Sequence, residues 1–132
     1  GTYWEDLFEF MRDVLLPKGL ISGEDFGLFT ITRSADEAMD VIDSFYKVYH
    51  SSRYVGKRLV IRLNKALTAE QIETLENEFS EILLPNTRIE AVSAFDKEQD
   101  QPDLWDLPRL AIHFNRRSFG LLNSFIRRIN SF

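Results

Sequence analysis

Three helix starts are marked in this sequence by capping boxes, and they limit the fold more than any other feature of the chain. In each box a hydroxyl residue stands three positions before Glu or Gln: Thr2 and Glu5, Ser34 and Glu37, Thr68 and Gln71. The paired side chains of such a box satisfy backbone donors that a helix start leaves open. Apolar residues at helical spacing follow each box, so the sequence predicts three amphipathic helices. A fourth helix is predicted from Ser118 to Ile129 on the same spacing.

Four β-rich segments lie between and after these helices, at residues 27–32, 57–63, 88–95 and 109–114. Leu59, Ile61 and Leu63 alternate along the second of them, which is typical of a half-buried strand. The order α-β-α-β-α-β-β-α predicts an α+β fold, with a mixed sheet of about four strands and packed helices. Whether the sheet is ferredoxin-like is left open, because that layout needs one more strand in the second part.

The acidic loop, residues 96–108, contains five Asp or Glu residues, one Lys and two prolines. Such a composition predicts a solvated surface loop, with Trp105 folded back onto the sheet. A boundary is predicted near residues 51–57, where Gly56 can form a turn. The chain then divides into an α-β-α part, residues 1–55, and a β-α-β-β-α part, residues 56–132.

Composition excludes several classes of function. The net charge of −5 disfavours nucleic acid and anionic lipid as partners. No apolar stretch approaches the length of about 20 residues that a membrane helix needs, so no membrane partner is predicted. The chain has no cysteine, and its two histidines are far apart, so we expect no metal site and no cofactor. A cytoplasmic location is the expectation.

The densest chemistry lies in residues 45–54, which hold three tyrosines, a Phe, a Lys, an Arg and a His. One interpretation is an amphipathic helix that directs Phe45, Val48 and Tyr49 inward and keeps the tyrosine hydroxyl groups in contact with solvent. The other is an interface, because Tyr, Arg and His are favoured where a surface is desolvated yet hydrogen-bonded. The candidate interface residues are Tyr46, Tyr49, His50, Arg53 and Tyr54.

A second polar cluster surrounds the other histidine, His113. Arg116 and Arg117 stand just before the fourth predicted helix, where guanidinium groups and free backbone amides can bind an anion together. Candidate anion-binding residues are therefore Arg53, His113, Arg116 and Arg117. The favoured alternative for the last two is an ion pair with the acidic loop.

The segment from Tyr3-Trp4 through Gly19-Leu20-Ile21-Ser22-Gly23-Glu24-Asp25 to Ser34-Ala35-Asp36-Glu37-Ala38 resembles the end of a Rossmann-like domain. The family is the LONELY GUY (LOG) nucleotide phosphoribohydrolases, formerly described as lysine-decarboxylase-like. Residues 45–54 and 113–120 resemble the C-terminal extension of some bacterial members.

The resemblance implies a parent enzyme that hydrolyses the N-glycosidic bond of nucleoside 5′-monophosphates. The family's Pro-Gly-Gly-x-Gly-Thr-x-x-Glu motif has no match here, so no catalytic residue is predicted and this chain alone is not expected to be an enzyme. Residues 1–55 would be the end of the nucleotide-binding domain, and residues 56–132 an accessory domain with a structural, regulatory or oligomerisation role. The alternative is a domain that senses a nucleotide phosphate. Expected partners are the remainder of the parent enzyme and further copies of this chain in a homo-oligomer. The start at Gly1, without Met, leads us to expect that an upstream piece is missing.

Overall fold

Four α-helices and a four-stranded sheet make up the structure, a computed structural model that describes residues 2–132. Gly1, the residue on which the expectation of a missing upstream piece rests, lies outside the described residues. The helices are α1 (Tyr3–Phe10), α2 (Ala35–Phe45), α3 (Ala69–Glu78) and α4 (Phe119–Asn130). The strands are β1 (Tyr49–Val55), β2 (Arg58–Leu63), β3 (Glu90–Val92) and β4 (Arg109–Ile112). Within residues 2–132, no helix combines the length and the apolarity that a membrane crossing requires.

The sheet has the strand order β1-β2-β4-β3, and every neighbouring pair is antiparallel. This arrangement confirms the α+β class and the number of strands. The expectation of a mixed sheet is wrong, because residues 27–32 do not join the sheet and all three neighbouring strand pairs are antiparallel. Residues 23–28 instead form a 3-10 helix, followed by an unpaired extended stretch.

A two-residue turn at Gly56 and Lys57 joins β1 to β2 in a hairpin. Gly56 has φ +63, a backbone conformation that glycine adopts without steric cost. The division predicted after residue 55 therefore falls in the turn of a hairpin, and one sheet extends across it. The assignment of residues 1–55 to the end of a Rossmann-like domain stays a prediction.

The hydrophobic core lies between one face of the sheet and helices α3 and α4. Alternate residues of β2 and β4 supply the sheet side of it: Leu59, Ile61, Leu63, Leu110 and Ile112. Leu75 of α3 and Phe125 and Ile129 of α4 supply the helix side, and all three are fully buried. Phe79, just after α3, meets Phe125 edge to face at 5.4 Å between ring centroids.

The predicted caps form only in part. At α3 the box is complete, since Gln71 N donates to Thr68 Oγ1 at 3.2 Å and Thr68 N donates to Gln71 Oε1 at 2.9 Å. At α2, Ser34 accepts from Glu37 N, but the Glu37 carboxylate accepts from Arg33 N instead. The Thr2 side chain makes no capping bond to α1.

The start of α4 differs from its prediction as well. The Ser118 side chain makes no capping bond there. Asn115 Oδ1 accepts from the backbone N–H of Arg117 and of Ser118 instead, at 2.9 and 3.1 Å.

Candidate functional site

An apolar groove of about 530 Å³ runs along one side of α1. Its lining comes from α1, from the helical turn that continues it, and from the extended stretch beyond the 3-10 helix: Trp4, Leu7, Phe8, Met11, Phe29, Thr30, Ile31 and Thr32. The lining residues of the helix recur at helical spacing, so they form one continuous stripe. Phe8 meets Phe26 of the 3-10 helix at 5.0 Å and Phe29 of the extended stretch at 6.0 Å between ring centroids, so α1 packs against both.

Residues 29–32, here called the unpaired segment, have the sequence of a strand without a strand partner. Phe29 is fully extended, with φ −142 and ψ 161. Among residues 2–132, no backbone–backbone hydrogen bond involves any residue of this segment. It is attached to α4 by a side chain, since Arg127 Nη2 donates to Thr30 Oγ1 at 3.2 Å. The strand predicted for residues 27–32 is therefore wrong for this chain, because an extended segment becomes a strand only beside a neighbour.

The N-terminal helical region, residues 2–47, contains no buried residue. Met39 and Ile42 on α2 are 54% and 49% exposed, and Tyr46, just after the helix, is 51% exposed; the three follow one another at spacings of three and four. Trp4 on α1 is 60% exposed. The region also carries ten acidic and only four basic side chains. It is an acidic surface with large apolar groups that this chain leaves in contact with solvent.

The predicted interface residues lie on and beside strand β1. The helix expected to reach Tyr49 is wrong, because α2 ends at Phe45 and the chain enters the sheet at Tyr49. Tyr49 is buried, whereas Tyr46 and Tyr54 are exposed. The Tyr49 ring packs against Phe45 at 5.3 Å and against Tyr46 at 5.8 Å between ring centroids. His50 Nδ1 lies 2.9 Å from the hydroxyl of its neighbour Ser51.

Arg53, one of the predicted anion-binding residues, already has an acidic partner. Its Nη1 donates to both carboxylate oxygens of Asp100, at 2.8 and 3.1 Å, and contacts Gln101 at 3.3 Å. This ion pair ties edge strand β1 to the acidic loop. A phosphate at Arg53 would have to displace Asp100.

The other three predicted anion-binding residues have different surroundings from Arg53. Arg116 stacks on Tyr54, with its guanidinium carbon 4.5 Å from the ring centroid. Within residues 2–132, neither Arg116 nor Arg117 forms an ion pair, so the expected pairing with the acidic loop does not occur. His113 lines a cavity that also contains three glutamates, Glu73, Glu76 and Glu90. Arg88 also lines this cavity and pairs with Glu76 at 3.3 Å, so three carboxylates and one guanidinium surround His113 there and an anion is disfavoured.

A buried charge cluster on the sheet face opposite the helices was not predicted. Glu98, from the acidic loop, is 0% exposed and lies between Arg62 of β2 and Arg109 of β4. Arg62 Nη2 donates to Glu98 Oε1 at 2.6 Å, and Arg109 Nε donates to Oε2 at 3.2 Å. The loop was expected to be solvated, but this carboxylate anchors it to the sheet.

The carbonyl groups of the acidic loop complete the cluster. Arg109 Nη1 donates to Trp105 O at 3.0 Å and Nη2 to Leu104 O at 2.7 Å. The indole N–H of Trp105 donates to Glu98 O at 2.9 Å, although its ring is 45% exposed. The loop therefore folds around two guanidinium groups rather than over an apolar surface.

The pKa of Glu98 is lowered from its ordinary value. Burial is the largest single influence and acts in the opposite direction, because it disfavours the charged carboxylate. The hydrogen bonds from the Phe95 amide and Arg62, together with the charges of Arg109 and Arg62, outweigh it. The carboxylate is thus held ionised inside the fold.

The described residues show no metal site and no orphaned buried polar group. Among residues 2–132, no group of three His, Asp or Glu converges as metal ligands. In the same range, every buried side-chain nitrogen or oxygen has a hydrogen-bond partner. What this arrangement offers is surface: an apolar groove, an unpaired extended segment and an exposed strand edge.

Comparison with known proteins connects the chain to no family. No protein-family model matches it, and neither does any curated protein or solved structure.

Proposed function

We propose that this chain is a non-catalytic assembly domain that docks its N-terminal helical region onto the sheet edge of a larger protein. The observation that carries the proposal is the unpaired segment, residues 29–32, which is extended and has no backbone partner among residues 2–132. Helices α1 and α2 stand on either side of it in the chain, as the helices of an α/β layer stand beside a strand. A partner strand would complete that layer.

Docking of this kind is favourable for two physical reasons. Main-chain hydrogen bonds to an added strand give affinity, and pockets for alternate side chains give specificity. Apolar surface that passes from water into an interface contributes roughly 25 cal/mol per Å². Leu7 and Ile42 are both substantially exposed here and would be covered together with the unpaired segment.

The larger protein that we propose is a nucleoside 5′-monophosphate phosphoribohydrolase of the LOG type, in the cytoplasm. Support comes from the resemblance of the segment between Tyr3 and Ala38 to the end of that family's nucleotide-binding domain. The unpaired segment would then pair with the edge of the parent's sheet, and residues 56–132 would form an accessory domain beside it.

The test is reconstitution with the polypeptide encoded directly upstream of this chain, produced separately. We expect a 1:1 complex by size-exclusion chromatography with light scattering, and release of base from adenosine 5′-monophosphate only when both polypeptides are present. Ile31→Pro removes one backbone donor of the unpaired segment and should abolish the complex. Ile31→Val, which keeps that donor and the β-branched shape, should not.

Three results would overturn the proposal. One is the lack of any upstream coding sequence, and another is an upstream polypeptide that does not bind. The third is hydrolysis by this chain alone, which would refute its non-catalytic role.

The alternative function, recognition of a nucleotide phosphate, has less support. Arg116 and Arg117 are outside every ion pair formed within residues 2–132, which leaves them able to meet an anion. Arg53 is occupied by Asp100, and His113 lies beside glutamates. Calorimetric titration with nucleoside mono-, di- and tetraphosphates decides the matter, since no heat with any of them removes this alternative.

A further inference from the structure

The two edges of the sheet are protected to different degrees. Edge strand β3 has only three residues, and its first residue, Glu90, is held in an ion pair with Arg58 at 2.9 Å. Edge strand β1 has seven residues. Natural sheets blunt their edges with short strands, charged residues or proline, because an open edge is a template for pairing with another chain. The β3 edge follows that rule, whereas β1 is long.

The outer edge of β1 has unpaired backbone groups. Val55 and Arg58 flank the two-residue turn and form the closing pair of the hairpin. Hydrogen-bonded and non-bonded pairs alternate along antiparallel strands, so Ser52 and Tyr54 direct their N–H and C=O groups away from β2. Both residues are exposed, and among residues 2–132 no backbone group of residues 50–55 bonds to a segment other than β2.

Residues just before this edge are already capped, which limits the open stretch. The side chain of Asn130 accepts from Val48 N at 2.8 Å and from Tyr49 N at 2.9 Å. The register shift between Tyr49 and Ser51 further separates that end from the regular strand. The template that remains is centred near Ser52.

Charge does not protect β1 either. Arg53 is its only Lys, Arg, Asp or Glu, and Asp100 of the same chain neutralises it. The strand contains no proline. Of the devices that discourage edge pairing, β1 has only a bulge, at the end that Asn130 covers.

We propose that β1 pairs with β1 of a second copy across a two-fold axis at Ser52, which joins the two sheets into one antiparallel sheet of eight strands. An antiparallel strand is complementary to itself under such an axis, so one open edge suffices for both subunits. In this register, Ser52 lies opposite Ser52 of the partner subunit at the axis, and Arg53 opposite Ser51 of the partner subunit. No like charges face each other directly in this register.

The test compares Ser52→Pro with Ser52→Ala by sedimentation equilibrium. Both changes remove the hydroxyl, which lies 3.2 Å from the Tyr49 hydroxyl, but only proline removes the outward N–H. We expect the unchanged chain and Ser52→Ala to have twice the monomer mass of 15.4 kDa, and Ser52→Pro to be a monomer with an unchanged circular dichroism spectrum.

A second variant keeps the backbone intact in case proline disturbs folding. Ser52→Lys places two lysines directly opposite each other at the axis, which should weaken dimerisation roughly fivefold at low ionic strength. Salt at about 1 M shortens the screening length to about 3 Å and should restore the dimer.

The inference is overturned if the unchanged chain stays a monomer up to a concentration of about 1 mM. Only association with a Kd above about 1 mM would escape detection at that concentration. It is equally overturned if both Ser52→Pro and Ser52→Lys dimerise as the unchanged chain does. Dimerisation that is lost in Ile31→Pro but kept in both Ser52 variants would place self-association on the unpaired segment. The outcome for β1 is therefore separate from the outcome for docking to a larger protein.

Discussion

At the residue scale, Glu98 connects three parts of the chain that are distant in sequence. Its two carboxylate oxygens accept from Arg62 on β2, Arg109 on β4 and the Phe95 amide. The sequence contained one sign of this cluster, because Arg62 interrupts the apolar run from Leu59 to Leu63, and Val60 on the same face indicates that both sheet faces are covered. The partner could not be predicted, because the acidic loop offers five carboxylates and only the fold decides which of them reaches the sheet.

We predict that Glu98→Gln lowers the free energy of unfolding by roughly 3–5 kcal/mol, because two guanidinium groups would stay buried without a counter-charge. Urea unfolding followed by tryptophan fluorescence measures the change. Asp103→Asn is the matched control, since Asp103 is exposed in the same loop and forms no ion pair among the described residues. Equal effects of the two substitutions would show that the cluster contributes nothing specific.

The lowered pKa of Glu98 also predicts a pH dependence. Folding favours the ionised form of the Glu98 carboxylate. The stabilisation is therefore fully present above the ordinary pKa of 4.5, and it is lost as pH falls through the lower pKa of the folded state. The difference in unfolding free energy between the unchanged chain and Glu98→Gln should therefore shrink on acidification from about pH 7 to about pH 2. A difference that stays constant or grows over that range contradicts the assignment.

At the scale of elements, residues 45–54 illustrate where local patterns lead to error. Helical spacing continues from α2 through Val48 to Tyr49, yet the helix ends at Phe45. Asn130, at the end of α4, donates to Phe45 O and accepts from Val48 N and Tyr49 N. It thereby ends α2 and begins β1. A residue more than eighty positions away in sequence cannot be read from a local pattern.

Helix capping gives a prediction with its own control, because the same sequence pattern forms a box at α3 but not at α1. Thr68→Ala should reduce the unfolding free energy by about 1 kcal/mol. Thr2→Ala should leave it unchanged, because the Thr2 hydroxyl makes no capping bond. Chemical denaturation of both variants provides the measurement, and a larger loss for Thr2→Ala than for Thr68→Ala would show that the boxes are assigned the wrong way round.

At the scale of the whole molecule, stability is distributed unevenly. Every buried hydrophobic residue lies at or after Val48, and the helical region before it contributes none. The α+β class and strands β2, β3 and β4 followed from patterns within residues 57–114, whereas β1 was missed because helical spacing continues into it. In the N-terminal part, helices α1 and α2 formed as predicted, but the strand expected at residues 27–32 did not, because residues 29–32 have no backbone partner within residues 2–132.

Amide hydrogen exchange should reveal this uneven distribution. We expect the slowest exchange in β2 and β4, and the fastest in α1, α2 and the unpaired segment, since opening free energy follows buried contacts. Helix α3 is the internal control, because it is close to α1 in length but buries Leu75. Protection of α1 equal to that of α3 in the isolated chain would mean that the N-terminal region is stabilised without a partner.

Placement of Arg62 directly opposite Arg109 in the ladder between β2 and β4 has a consequence for the order of folding. Until Glu98 arrives, these two central strands can pair only by bringing like charges together, which is unfavourable. The acidic loop, in turn, has nothing to fold around until both arginines stand side by side. Strand pairing and loop closure therefore have to occur in one cooperative event, so a partly assembled sheet with an open loop should not accumulate.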